Sequence, residues 1–152
     1  MDIKGERWLP APPEVIWATL HDVDTLRATI PGCKELTQTA SNRFEGSATV
    51  GVGVIKGLYK GGLELLLEVP PSRAQVVVNA RSGHAEIKGT GDILLEPSGE
   101  GTLVSYHGEA RISGPLAAVG QRLLPSATKS LTESFLKNVD EVLRKQIEQE
   151  GA

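Results

Sequence analysis

The side chains able to do chemistry are few in this 152-residue chain, and their spacing gathers them into no cluster. His84 and His107 share strand parity with Glu86, Lys88, Glu109 and Arg111, which puts them on a solvated face. His21 falls at the junction of two short helical segments. None of the three has a glutamate or second histidine at a helical metal spacing, so neither a metal site nor a cofactor is expected. Cys33 is the single cysteine, which excludes an intrachain disulfide and a multi-cysteine zinc site. With no fixed base beside it, it reads as a small inert side chain rather than a nucleophile. No serine sits in a G-x-S-x-G elbow. Gly51-Val52-Gly53-Val54-Ile55-Lys56-Gly57 has spaced glycines but opens no helix, so it reads as a turn and not a phosphate loop. That leaves Arg7, Tyr59 and Tyr106 as polar groups whose strand parity turns them inward. An inward Arg7 could hold a polar head group by paired hydrogen bonds, or could reach out along the sheet edge to water.

The elements that position these groups follow from periodicity. Asp2 to Leu9 alternates as a first strand, and Pro10, Pro12 and Pro13 stop it. Pro13 suits the first turn of a helix carrying Val15, Ile16 and Leu20 with Trp17 beside them, and Asp22 suits the N-cap of a second helix, Val23 to Thr29. Pro31-Gly32 turns the chain into six strands with one wet face. The first is Lys34–Thr39. The second, Arg43–Val54, turns Phe44, Gly46, Ala48, Val50 and Val52 inward. The third, Ile55–Val69, turns Tyr59, Leu63, Leu65 and Leu67 inward. Next come rows at Ala74, Val76, Val78 and Ala80, at Ala85, Ile87, Gly89, Gly91, Ile93 and Leu95, and at Val104, Tyr106, Gly108, Ala110 and Ile112. Leu116, Val119, Leu123, Ala127, Leu131, Phe135, Val139 and Val142 then trace one helical face. Pro125 interrupts it, which predicts two segments, Leu116–Leu124 and Ser126–Gln149, joined by a kink. One strand, two short helices, six strands and a long helix make an α+β domain whose sheet packs on that helix, in a single unit over residues 1–150.

Geometry then asks for a cavity. Seven strands span about 30 Å at their usual spacing, and one helix covers about 10–12 Å. The inner rows hold Gly46, Ala48, Ala80, Ala85, Gly89, Gly91, Gly108 and Ala110, and only six residues of the whole chain are aromatic, so large side chains do not fill the remainder. Two readings stand: an apolar ligand cavity between sheet and helix, or a sheet bent strongly enough at its glycines to wrap the helix. The expected cavity wall takes Trp17 and Ile30 from the short-helix region, and Phe44, Ala48, Val50, Tyr59, Leu63 and Leu65 from the first strands after it. Val78, Ile87, Ile93 and Tyr106 continue the wall, Leu123, Leu124, Ala127 and Leu131 close it from the helix, and Arg7 is its polar member. No catalytic residue is assigned. A net charge of −3, well mixed along the chain, gives no reason to expect nucleic acid. With no signal-like start and no long apolar run, a soluble cytoplasmic protein is expected.

Several stretches resemble the CoxG-like family of carbon monoxide dehydrogenase subunits, within the START-like (SRPBCC) helix-grip superfamily. They are Ala11-Pro12-Pro13-Glu14-Val15-Ile16-Trp17, Leu20-His21-Asp22, Ile30-Pro31-Gly32-Cys33, Gly57-Leu58-Tyr59-Lys60-Gly61 and Gly114-Pro115-Leu116-Ala117-Ala118-Val119-Gly120. The resemblance implies a seven-stranded antiparallel sheet gripping a C-terminal helix around a hydrophobic ligand cavity. It also implies a non-catalytic accessory role beside a molybdenum hydroxylase, tethering the enzyme to the membrane or carrying a lipid or quinone. The last helix sets Glu133, Asp140, Glu141, Glu148 and Glu150 against Lys129, Lys137, Arg144 and Lys145, which is no polybasic anchor. At most peripheral contact with the inner membrane face is therefore expected. The same fold also serves polyketide cyclases and dehydratases, which would need acid–base groups converging in the cavity, and a pure assembly factor would bind nothing inside.

Overall fold

The computed structural model of the protein describes residues 2–51 and 53–151. The order is β1 (Asp2–Leu9), α1 (Pro13–Leu20), α2 (Val23–Thr29), β2 (Cys33–Ala40) and β3 (Arg43–Val50), then a short 3-10 turn (Gly53–Ile55). β4 (Gly57–Val69), β5 (Arg73–Arg81), β6 (Glu86–Ser98), β7 (Gly101–Ser113) and α3 (Ala117–Gly151) complete it. The strands form one antiparallel sheet in the order β1-β7-β6-β5-β4-β3-β2, as an α+β helix-grip fold requires. α1 and α2 carry the chain from one edge strand to the other. Pro13 occupies the start of α1, and the Asp22 carboxylate caps α2 by accepting from the Thr25 N–H at 3.1 Å.

Some glycines of the sheet allow neighbouring backbones to approach closely. At Gly46 a Cβ would overlap the Glu35 carbonyl, and at Gly61 it would overlap the Asn79 carbonyl. At Gly108 a Cβ would come to 2.5 Å from the Thr90 carbonyl oxygen. At these points only glycine fits.

Three expectations about elements are corrected. The strand expected over Arg43–Val54 ends at Val50 and gives way to the 3-10 turn, so Ile55, expected to begin the next strand, is buried in that turn at 2 % exposure. Val52, expected on the inner face, lies outside the described residues, as does Ala152 at the expected frayed end. Leu67, expected inward, is 79 % exposed with φ +49, because a register shift between Leu66 and Val69 reverses the alternation of β4. α3 is one helix of 35 residues, about 52 Å long, running unbroken through Pro125. Pro125 offers no N–H to the Gln121 carbonyl, but Gln121 is exposed, where water can serve it.

The phase of α3 also differs from expectation. Its buried positions are Gly120, Leu124, Ala127, Leu136, Val139, Asp140 and Leu143, while Val119 and Leu123 are 55 % and 40 % exposed. Gly120 sets this phase. A Cβ there would come to 2.7 Å from Ile112 Cδ1, so the helix backbone sits tight against β7 at that residue.

Candidate functional site

The face of the sheet that meets α3 is lined by three apolar clusters. In the first, Ile3, Tyr59, Ala110 and Ile112 of the sheet and Ile55 of the turn pack on Leu124 and Ala127 of α3. In the second, Leu9, Leu95 and Val104 pack with Ile16 of α1 on Leu136, Val139 and Leu143. The third gathers Leu26, Leu36 and Phe44 under α2, with Phe135 of α3 reaching it. Burial of each such side chain contributes about 1.5–3 kcal/mol.

The seventeen residues expected to line a cavity divide among these groups. Val50, Tyr59, Ile87, Tyr106, Leu124 and Ala127 meet in the first cluster. Trp17 and Ile93, with Tyr106 again, border the second, and Ile30, Phe44 and Leu63 meet in the third. Ala48 pairs with Tyr59 across β3 and β4, and Leu131 is half-buried on α3. Leu65 is buried, whereas Val78 and Leu123 are 39 % and 40 % exposed.

Val78 lies on the concave side. Its row across the sheet runs Phe44, Leu63, Val78, Gly89, Ala110, whose two ends are buried beneath the helices. The reason for its exposure is lateral: the α3 backbone comes closest to β7, β1, α2 and the 3-10 turn, and meets β4 and β6 through long side chains such as Tyr59 and Leu95. Leu123 lies beside the 3-10 turn, its Cδ1 3.5 Å from the position of a Cβ on Gly53. The concave face is thus covered less closely over β5 than at its two ends. Two clefts lie elsewhere and share none of the seventeen residues. One of about 330 Å³ lies among Trp8, Pro10, Glu100, Arg144, Ile147 and Glu148, and one of about 170 Å³ lies along Gln75, Thr90, Asp92, His107 and Glu109.

The inward polar groups behave differently from one another. Arg7 does point inward, and its Nη2 donates to Asp140 Oδ2 of α3 at 3.0 Å, while Arg144 Nε donates to Asp140 Oδ1 at 2.7 Å. The guanidinium thus ties sheet to helix, and its buried Nε has no partner. The Tyr59 hydroxyl is buried within the first cluster and also makes no hydrogen bond. Tyr106 stands between the first two clusters, where burial, and after it the Glu133 carboxylate, push its phenol above the ordinary value. No hydrogen bond joins any two of Arg7, Tyr59 and Tyr106.

His84 and His107 are exposed. His21 is not free: Nδ1 donates to the Trp17 carbonyl at 2.8 Å, Nε2 contacts the Glu68 carboxylate, and the ring stacks near Trp17 at 5.0 Å. Sequence reasoning missed Glu68 because the Leu67 bulge is what turns it toward His21. It also missed Asp140, although a carboxylate between Val139 and Leu143 on the buried helix face was a readable signal for an inward cation. Burial pushes the Cys33 thiol up, with the Arg27 guanidinium offsetting part of that rise. Among the described residues no group of three or more His, Cys, Asp or Glu could hold a metal, and no helix is long and apolar enough to cross a membrane.

Comparison with known proteins agrees with the fold. The family model that describes the CoxG subunit of carbon monoxide dehydrogenase matches residues 5–144. A conserved protein from Geobacillus kaustophilus is 29 % identical, with 95 % of this chain and 96 % of that chain covered and a TM-score of 0.88. Protein CV1439 from Chromobacterium violaceum is 18 % identical over 93 % of this chain and 95 % of its own, with a TM-score of 0.72. Protein Ms6760 from Mycobacterium smegmatis is 16 % identical over 95 % and 92 %, with a TM-score of 0.71. No curated protein matches.

Proposed function

Because the chain belongs to the CoxG family of carbon monoxide dehydrogenase subunits, we propose that it is a non-catalytic carrier of an apolar or amphipathic small molecule, a lipid or quinone. The ligand lies in the groove between the sheet and α3. The protein acts as an accessory to a carbon monoxide dehydrogenase-type molybdenum hydroxylase, in the cytoplasm or in peripheral contact with the inner membrane face. The observation that supports the reading is the exposure of Val78 in the middle of the row between buried Phe44 and Ala110, beside a helix that runs closest to β1 and β7. Apolar side chains held open on a concave wall suit a ligand that water solvates poorly.

Acid–base catalysis has little to work with here. Arg7 is engaged with Asp140, and no hydrogen bond joins either tyrosine hydroxyl to the other or to Arg7. The test is a thermal melt with quinone and long-chain lipid analogues, together with organic extraction of protein purified from its native host. A raised melting temperature and a recovered lipid or quinone are expected. An unmoved melt and an empty extract would remove the basis for the reading.

A further inference from the structure

We infer that the Tyr59 hydroxyl is the polar anchor of the bound molecule, which makes the ligand one that carries a hydrogen-bond-accepting oxygen on an otherwise apolar frame. This rests on the carrier reading above and narrows it. Tyr59 is 3 % exposed, and its hydroxyl has no partner among the described residues. A buried hydroxyl without a partner is costly and uncommon, so a chain that retains one has a use for it. Its surroundings cannot satisfy it. Ile55, Ile112, Leu124 and Ala127 carry no polar side-chain atom, and Tyr106, the one cluster neighbour that does, is not bonded to it.

The placement suits a ligand entering from the open side. Tyr59 lies on β4, in the cluster that packs on Leu124 and Ala127 of α3, and its cross-strand partner is the small Ala48. The 3-10 turn that contributes Ile55 to its cluster is the one Leu123 approaches from α3. The neighbours Ala85, Ala110 and Ala127 are small, so a ring or chain can be admitted by modest side-chain rotation. A phenol donates readily to a carbonyl, and a ketone or quinone oxygen in an apolar setting lacks any other donor there. A site built around one unpaired donor rejects a ligand with nothing to offer it.

The experiment uses a matched pair, octanophenone and octylbenzene, which differ only in a carbonyl against a methylene. Affinities are measured by calorimetry on the full chain and on Tyr59→Phe. The wild-type protein is expected to favour the ketone about tenfold, and Tyr59→Phe to bind both alike with octylbenzene affinity unchanged. Equal wild-type affinities, or a ketone preference that survives in Tyr59→Phe, would overturn the anchor while leaving the carrier reading standing. Binding of neither probe would overturn the carrier reading and this one with it. Ring-fluorinated tyrosine keeps the test open if Tyr59→Phe misfolds, since the chain has two tyrosines and gives two fluorine resonances. The ketone, and not octylbenzene, is expected to shift the Tyr59 line; equal shifts would refute the anchor.

Discussion

Asp140→Asn tests how sheet and helix are held together. The Asp140 side chain is 12 % exposed and receives both Arg7 and Arg144. Removing one partner of a buried ion pair costs about 3–5 kcal/mol, because the other charge is left without compensation. The Arg7 side chain is 37 % exposed, so water recovers part of that loss, and the figure falls to about 2 kcal/mol. Arg144, at 58 % exposure, adds a few tenths. For a chain of this length the sum corresponds to a melting temperature lower by about 4–8 °C. Arg7→Met should cost a similar amount. The double variant Arg7→Met/Asp140→Leu should return to within about 1 kcal/mol of wild type, since an apolar pair of like volume removes both buried charges. Urea unfolding followed by tryptophan fluorescence measures all three. A loss below about 0.5 kcal/mol in Asp140→Asn, or a double variant as damaged as the two singles added, would mean that this ion pair does not hold sheet to helix.

Three further outcomes follow from the packing. Gly61→Ala places a Cβ on the Asn79 carbonyl and should cost about 3 kcal/mol or more, whereas Gly83→Ala, with open space around it, should be neutral within about 0.5 kcal/mol in the same urea assay. Leu124→Ala, at 1 % exposure, should destabilise by about 2–4 kcal/mol; Leu123→Ala should cost less than about 1 kcal/mol yet weaken quinone-analogue binding, as read by denaturation and calorimetry together. Burial holds the Cys33 thiol above the ordinary cysteine value, so at neutral pH the folded thiol keeps its proton more tightly than the unfolded one. Its alkylation by iodoacetamide should be slower than that of free cysteine and should rise as pH passes 9; a rate equal to free cysteine at neutral pH would contradict it.

Much of the fold was legible because its signals are local. Proline at the head of α1, Asp22 capping α2 and the alternation of β3 through β7 each depend on a few neighbouring residues. The phase of α3 was not, because Leu123 and Leu124 make two adjacent apolar stripes in its first half. Only the close approach of Gly120 to Ile112 decides between them. The glycine rows supported two readings in sequence, and the overlaps at Gly46 and Gly108 tie those two to close backbone approach. Inward Arg7 was readable from parity alone, while its engagement by Asp140 joins residues 133 positions apart. The contact of His21 with Glu68 depends on a bulge at Leu67, a residue whose type gives no hint of a positive φ.

Whether the groove holds the ligand can be read from methyl resonances of a leucine- and valine-labelled sample, recorded while decylubiquinone is added. Shifts are expected at Val78, Leu63, Leu65 and Leu123, with the exposed Leu67, Val69 and Leu94 unmoved. Shifts confined to those three, or spread evenly over all exposed methyls, would contradict a ligand held between sheet and helix.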